Sequence, residues 1–103
     1  MQSDRKPADP QRLTLDGRLG MTEAADLHHR LQALDRSRGL TVDVASVSHL
    51  GTLCLQVLVA AARDWQQAGH EFRLGPRSDA VAAALAGFAV PAATFGAEDV
   101  AWQ

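Results

Sequence analysis

From Gln11 onward the chain becomes periodic. Leu13, Leu15 and, past Asp16-Gly17, Leu19 alternate with Arg12, Thr14 and Arg18, the period-two pattern of a short hairpin with one buried face. Thr22 then reads as an N-cap, and Ala24, Leu27, Leu31 and Leu34 fall at helical spacing behind it. Asp26, His29, Arg30 and Asp35 take the other faces, and Gly39 supplies the stop, so an amphipathic helix is predicted near 22 to 37. Leu40-Thr41-Val42-Asp43-Val44 is short and β-branched and predicts a strand, which His49-Leu50-Gly51 breaks before a second cap residue, Thr52. Leu53 to Gln67 is the strongest helix. Leu53, Val57, Leu58, Ala61 and Trp65 trace one face, and Cys54, Leu55 and Val59 add apolar area on its flanks, which makes this the central helix. Gly69 ends it. Phe72 and Leu74 alternate with Glu71 and Arg73 in another strand, Gly75-Pro76 turns the chain, and Ser78 caps a third helix with Val81, Leu85 and Phe88 on one stripe.

The order strand, strand, helix, strand, helix, strand, helix implies parallel neighbours joined by right-handed crossovers after the opening hairpin. The expected fold is α/β: a small mixed sheet of four or five strands with helices packed mainly on one face. Residues 1 to 10 are polar, carry two prolines and lack periodicity, so they read as a disordered arm before a single domain over 11 to 103. Ala97 to Trp102 reads as a last helical turn.

Composition then narrows the function. Twelve acidic and ten basic side chains give a net charge of -2, and the arginines are spread along the chain, which argues against nucleic acid as a partner. No window approaches the roughly 18 to 20 apolar residues of a bilayer helix, and Met1 to Pro10 has no apolar stretch like that of a signal peptide. No membrane insertion and a cytoplasmic location are expected. The lone cysteine, Cys54, has no disulfide partner and no cation beside it in the sequence, so a buried inert thiol is expected. His28 and His29 point about 100° apart on a helix and do not form an i, i+4 metal pair, and no Cys/His spacing builds a zinc site. No metal, cofactor or catalytic set is expected: there is no phosphate loop, no dinucleotide fingerprint and no nucleophile elbow. Asp43 reads as a carboxylate that caps nearby amides.

The segment from Val42 to Leu58, VDVASVSHLGTLCLQVL, resembles the signature of STAS domains, the family of the bacterial anti-sigma factor antagonists. Asp43 matches the strand Asp, Val47 the loop Val, Thr52 the phosphorylatable Ser or Thr, and Leu55 the Leu of the helix start. Gly17, Gly69 and Ser78 fall where that family places equivalents, so the resemblance covers about residues 11 to 90. Two positions depart from the pattern: Gly51 stands where the family usually has Asp, and Leu53-Cys54 replaces a small residue followed by Gly. The Leu-Gly-x-x-Cys-Leu-Gln-Val-Leu form is similar to a divergent subgroup associated with chemotaxis gene clusters.

The resemblance implies a non-enzymatic signalling module that binds an anti-sigma factor, a serine kinase or a chemotaxis-type component. The implied partner surface comprises Asp43, Ser46, Ser48, His49, Gly51, Thr52 and Gln56, with Thr52 the phosphoacceptor. An alternative within the family is the STAS subunit of a lipid-transport ABC complex, which binds its ATPase. A helix N-terminus receives a phosphate well, because unpaired amides and the positive end of the dipole face it. The same amides equally explain Thr52 as an N-cap.

Overall fold

The computed structural model describes residues 11–90 and 92–95. Strand β1 (Gln11–Leu19) leads through a 3-10 turn (Met21–Glu23) into helix α1 (Ala24–Gln32). Strand β2 (Leu40–Leu50), helix α2 (Thr52–Gln67), strand β3 (Phe72–Arg77) and helix α3 (Asp79–Gly87) follow, then a 3-10 turn at Ala92–Phe95. The expected α/β architecture is present, with fewer strands. The described sheet has three, in the order β1-β2-β3, and both pairings are parallel.

The difference arises at Asp16-Gly17. Leu13, Leu15 and Leu19 are buried as their alternation predicts, but the chain does not reverse between them. Gly17 sits at φ +70°, and the β1/β2 register shifts between Thr14 and Asp16 and again between Gly17 and Arg18. A left-handed glycine serves a β-bulge as well as a hairpin turn, and Gly17 serves the irregular stretch of a continuous strand, not the expected hairpin. β2 likewise runs six residues past the predicted Val44, because the continuing β1 offers it partners: Ser46 opposite Asp16, Val47 opposite Gly17 and Leu50 opposite Leu19. Gly75-Pro76 is not a turn either; β3 continues through it to Arg77.

One face of the sheet is covered. Leu40, Val42 and Val44 of β2 and Leu13 and Leu15 of β1 point into the core, while Arg12, Thr14, Thr41 and Asp43 alternate outward. Against the covered face α2 buries Cys54, Leu55, Leu58, Ala61, Ala62 and Trp65. Leu58 and Ala61 face inward as predicted. Leu53 does not; it is 43% exposed, because the apolar stripe passes through Cys54 and Leu55 instead. Trp65 anchors the far end of α2. Its indole N–H donates to the Arg38 carbonyl at 2.8 Å, and its ring meets Phe72, which in turn faces Phe95.

α1 is shorter than the predicted 22 to 37. Thr22 lies in the 3-10 turn rather than at a cap: its hydroxyl donates to Glu23 Oε2, and Glu23 Oε1 accepts from the Gly20 amide. After Gln32 the chain leaves the helix for a loop that Gln11 brackets. Gln11 Nε2 donates to the Asp35 carbonyl at 2.6 Å and Oε1 accepts from the Asp35 amide at 2.9 Å, while Asp35 Oδ1 accepts from the Ser37 amide and hydroxyl. Ser78 caps α3 as predicted, its hydroxyl accepting from the Val81 amide at 3.1 Å. Val81 and Leu85 are buried, but Phe88 follows the last helical residue and is 48% exposed. The predicted arm over 1 to 10 and the helical turn at 97 to 102 lie outside the described residues.

Candidate functional site

The N-terminus of α2 is fixed to the end of β1. The Gly51 amide donates to the Leu19 carbonyl at 2.8 Å, and the Gly51 carbonyl accepts the first helical bond, from the Leu55 amide at 3.0 Å. Gly51 is therefore the N-cap residue, with φ -83° and ψ 169°, and Thr52 is the first residue inside the helix. This corrects the reading of Thr52 as a cap. Its side chain is exposed, and among the described residues its hydroxyl enters no hydrogen bond. The first turn of α2 contains no acidic residue, so the positive end of a 16-residue helix meets no carboxylate of its own there.

Glycine at position 51 has a steric reason. A Cβ there would stand 3.2 Å from the Leu19 carbonyl oxygen, 3.5 Å from His49 Nε2 and 3.7 Å from the Gly20 Cα. Within the first turn of α2, the buried Cys54 thiol donates to the Gly20 carbonyl at 3.3 Å. Burial pushes this thiol's pKa up, and the nearby Glu23 carboxylate adds to the shift, both favouring the neutral form. Glu23 itself is held below the usual carboxylate range by the Thr22 hydroxyl and then the Gly20 amide.

From Thr52 an open groove of about 380 Å³ runs along α2. Leu55, Gln56, Val59, Ala60 and Arg63 form one side, and Phe88 and Val90, beyond the end of α3, form the other. Of the residues singled out from the sequence, Thr52 and Gln56 line this groove, while His49 and Gly51 stand beside each other at the start of α2 and are not among its lining residues. Ser46 and Ser48 are exposed on the last half of β2, which is strand and not the expected loop.

Asp43 stands apart. It lies on the outward face of β2, where Oδ1 accepts from the Ala45 amide at 3.0 Å and Oδ2 meets Arg12 Nη2 at 2.7 Å. The amide and then the guanidinium hold its carboxyl below the usual range. Its capping of a nearby amide matches the sequence reading, but its position does not join it to Thr52. Leu55, Val59, Arg63, Phe88 and Val90 were not singled out. The signal was available for the helical ones: positions 52, 56, 59 and 63 share a stripe, masked by the stronger buried stripe beside it.

His28 and His29 are exposed with their rings edge to face, and among the described residues no three His, Cys, Asp or Glu side chains gather to hold a metal ion. Among the same residues no helix is long and apolar enough to cross a membrane.

A hydroxyl at the start of the helix that follows the second strand of a parallel sheet is the feature around which the sequence resemblance is built, and a family model described as Mlab, STAS domain matches residues 3–90. The chain belongs to the STAS family. No curated protein matches it in a sequence search. STAS domains are in general modules for signalling or for binding a partner protein. In this STAS domain the position at which the sequence resemblance expects an acid is the glycine beside the Leu19 carbonyl, and Thr52 lines a largely apolar groove.

Proposed function

We propose that this STAS domain is a non-enzymatic, cytoplasmic signalling module whose partner docks on the N-terminal turn of α2 and the groove beside it. One observation carries the reading: the uncommitted Thr52 hydroxyl stands at the mouth of a groove whose apolar walls include the half-exposed Phe88. Exposed aromatic and aliphatic side chains next to hydrogen-bonding groups are what a protein interface is made of. The partner is an anti-sigma factor, a serine kinase or a chemotaxis-type component. Phosphorylation of Thr52 releases it, since about -2 of added charge sits well on the helix N-terminus but is costly to desolvate beneath a partner.

Affinity capture from the native bacterium, with mass spectrometry of Thr52, tests this. Wild-type bait is compared with Val59→Asp, which puts a charge on the groove wall. A kinase or signalling protein lost on Val59→Asp supports the reading. An ABC ATPase captured in its place assigns the domain to a lipid-transport complex, and capture unaffected by Val59→Asp removes the groove from the interface.

A further inference from the structure

The groove along α2 selects by charge as well as by shape. Between Thr52 and Arg63 the helix carries no charged residue, and these two positions stand about 16 Å apart along its axis. Among the described residues that line the groove, Arg63 is the one with a charge; it is exposed and, among the described residues, forms no ion pair. The acid next to it in sequence, Asp64, is engaged elsewhere: it meets Arg36 at 3.6 Å and lines the cleft between α1 and α2. The groove is thus apolar along its length, with an unmatched cation at its far end.

Its walls favour a helical occupant. They are side chains, Leu55, Val59 and Ala60 on one side and Phe88 and Val90 on the other. An extended peptide laid between them would turn about half of its backbone N–H and C=O groups toward apolar surface, whereas a helix satisfies those groups internally and presents a continuous apolar stripe. Charge then sets the direction. The positive end of the α2 dipole lies at Thr52, where the first turn holds no acid. A helix antiparallel to α2 brings its negative C-terminal end to Thr52 and its first turn to Arg63. Asp and Glu are favoured in a first helical turn, so an acid there is stabilised both by its own helix and by Arg63.

We infer that the groove takes an amphipathic helix of a partner protein, about eleven residues long and antiparallel to α2, with an acid of its first turn over Arg63 and an i, i+3, i+4, i+7 apolar stripe against Val59 and Phe88. The inference rests on the docking function proposed above and specifies what the partner presents. It gives phosphorylation of Thr52 a further effect, because the phosphate would face the negative end of the incoming helix.

The test is a displayed library of short random peptides panned on the full chain, with Val59→Asp used to discard peptides that bind elsewhere. Far-UV circular dichroism checks that each variant is folded. Surviving peptides are expected to carry Asp or Glu ahead of an apolar stripe at helical spacing. Against Arg63→Glu such a peptide should lose at least about fivefold in affinity, since an attraction becomes a repulsion of similar size, and replacing its acids with lysine should restore binding to that variant. A spin label at the peptide N-terminus should broaden the amide signal of Arg63 more than that of Thr52. Survivors without a preference for acids, affinity indifferent to Arg63→Glu, broadening centred on Thr52, or a library with no survivor sensitive to Val59→Asp overturns the inference. Capture of a native partner that depends on Val59 but not on Arg63 keeps the docking function and removes this occupant, whereas acid-selected peptides without native capture do the reverse.

Discussion

The amide of Gly51 and the carbonyl of Leu19 meet at 2.8 Å, and that oxygen is also the atom a side chain at position 51 would strike first, at 3.2 Å. The bond ties the start of α2 to the end of β1, and the absence of a side chain lets it be short. The position at which the sequence resemblance expects an acid is thus occupied here by a backbone contact between two elements.

Gly51→Ala is expected to destabilise the fold by about 1 kcal/mol, since the methyl group presses on the Leu19 oxygen and alanine is a poorer N-cap than glycine. Urea denaturation followed by circular dichroism measures this. An unchanged midpoint would mean that the β1–α2 junction yields freely.

Thr52→Ala should change stability by less than about 0.5 kcal/mol, because the hydroxyl caps nothing. Thr52→Glu should be neutral or stabilising by roughly 0.3 to 1 kcal/mol, as it gives the first turn of α2 its only acid. With the captured partner, calorimetry should show Thr52→Glu weakening association at least about tenfold, or roughly 1.4 kcal/mol. Equal affinity for wild type and Thr52→Glu would take Thr52 out of the interface.

Leu58→Ala should cost about 2 to 5 kcal/mol. Leu58 is wholly buried in the core that Val42, Val44, Leu74 and Trp65 share, so truncation loses burial and leaves a cavity. A loss below about 1 kcal/mol would show that the core closes over the gap.

Acid should destabilise the protein through Asp43, Glu23 and Asp35. Each carboxyl is held below its ordinary value in the fold, Asp43 by the Ala45 amide and Arg12, Glu23 by Thr22 and Gly20, and Asp35 by Ser37. A depressed acid contributes stability above its unfolded value and loses it as pH falls through the folded one. Stability should therefore be level above the ordinary values of 3.8 and 4.5 and decline below them. At the alkaline end the sign reverses for Cys54, whose pKa is raised from 9.0, so its contribution is lost as pH climbs past that value. Denaturant midpoints from pH 2 to 10 record both limbs, and Asp43→Asn should flatten part of the acid one.

The helices and their inward residues were legible because burial repeats at helical spacing: Leu27 and Leu31, Leu58 and Ala61, Val81 and Leu85 were all read correctly. The Ser78 cap was legible for a local reason, a hydroxyl three residues before the amide it accepts from. Gly17 was not, because a positive φ fits a bulge and a hairpin alike and only the distant partner strand decides between them. The end of β2 was hidden for the same reason: Ser46 and Ser48 look like loop until Asp16 and Gly17 of β1 are laid beside that stretch. Thr52 and Gln56 were found through motif likeness, but Phe88 and Val90 reach the groove only through tertiary packing, which no spacing within α2 encodes.

The all-parallel pairing also bears on how the chain reaches this state. Gln11 pairs with Leu40 and Leu40 with Phe72, so each described strand finds its neighbour about thirty residues away, across an intervening helix. Among the described residues no hairpin joins two strands of the sheet. The bulge at Gly17 lies in the middle of the first pairing, so its register is set only when β2 arrives. Non-local parallel pairing of this kind slows folding, and a fragment that stops before β2 lacks the strand with which β1 pairs.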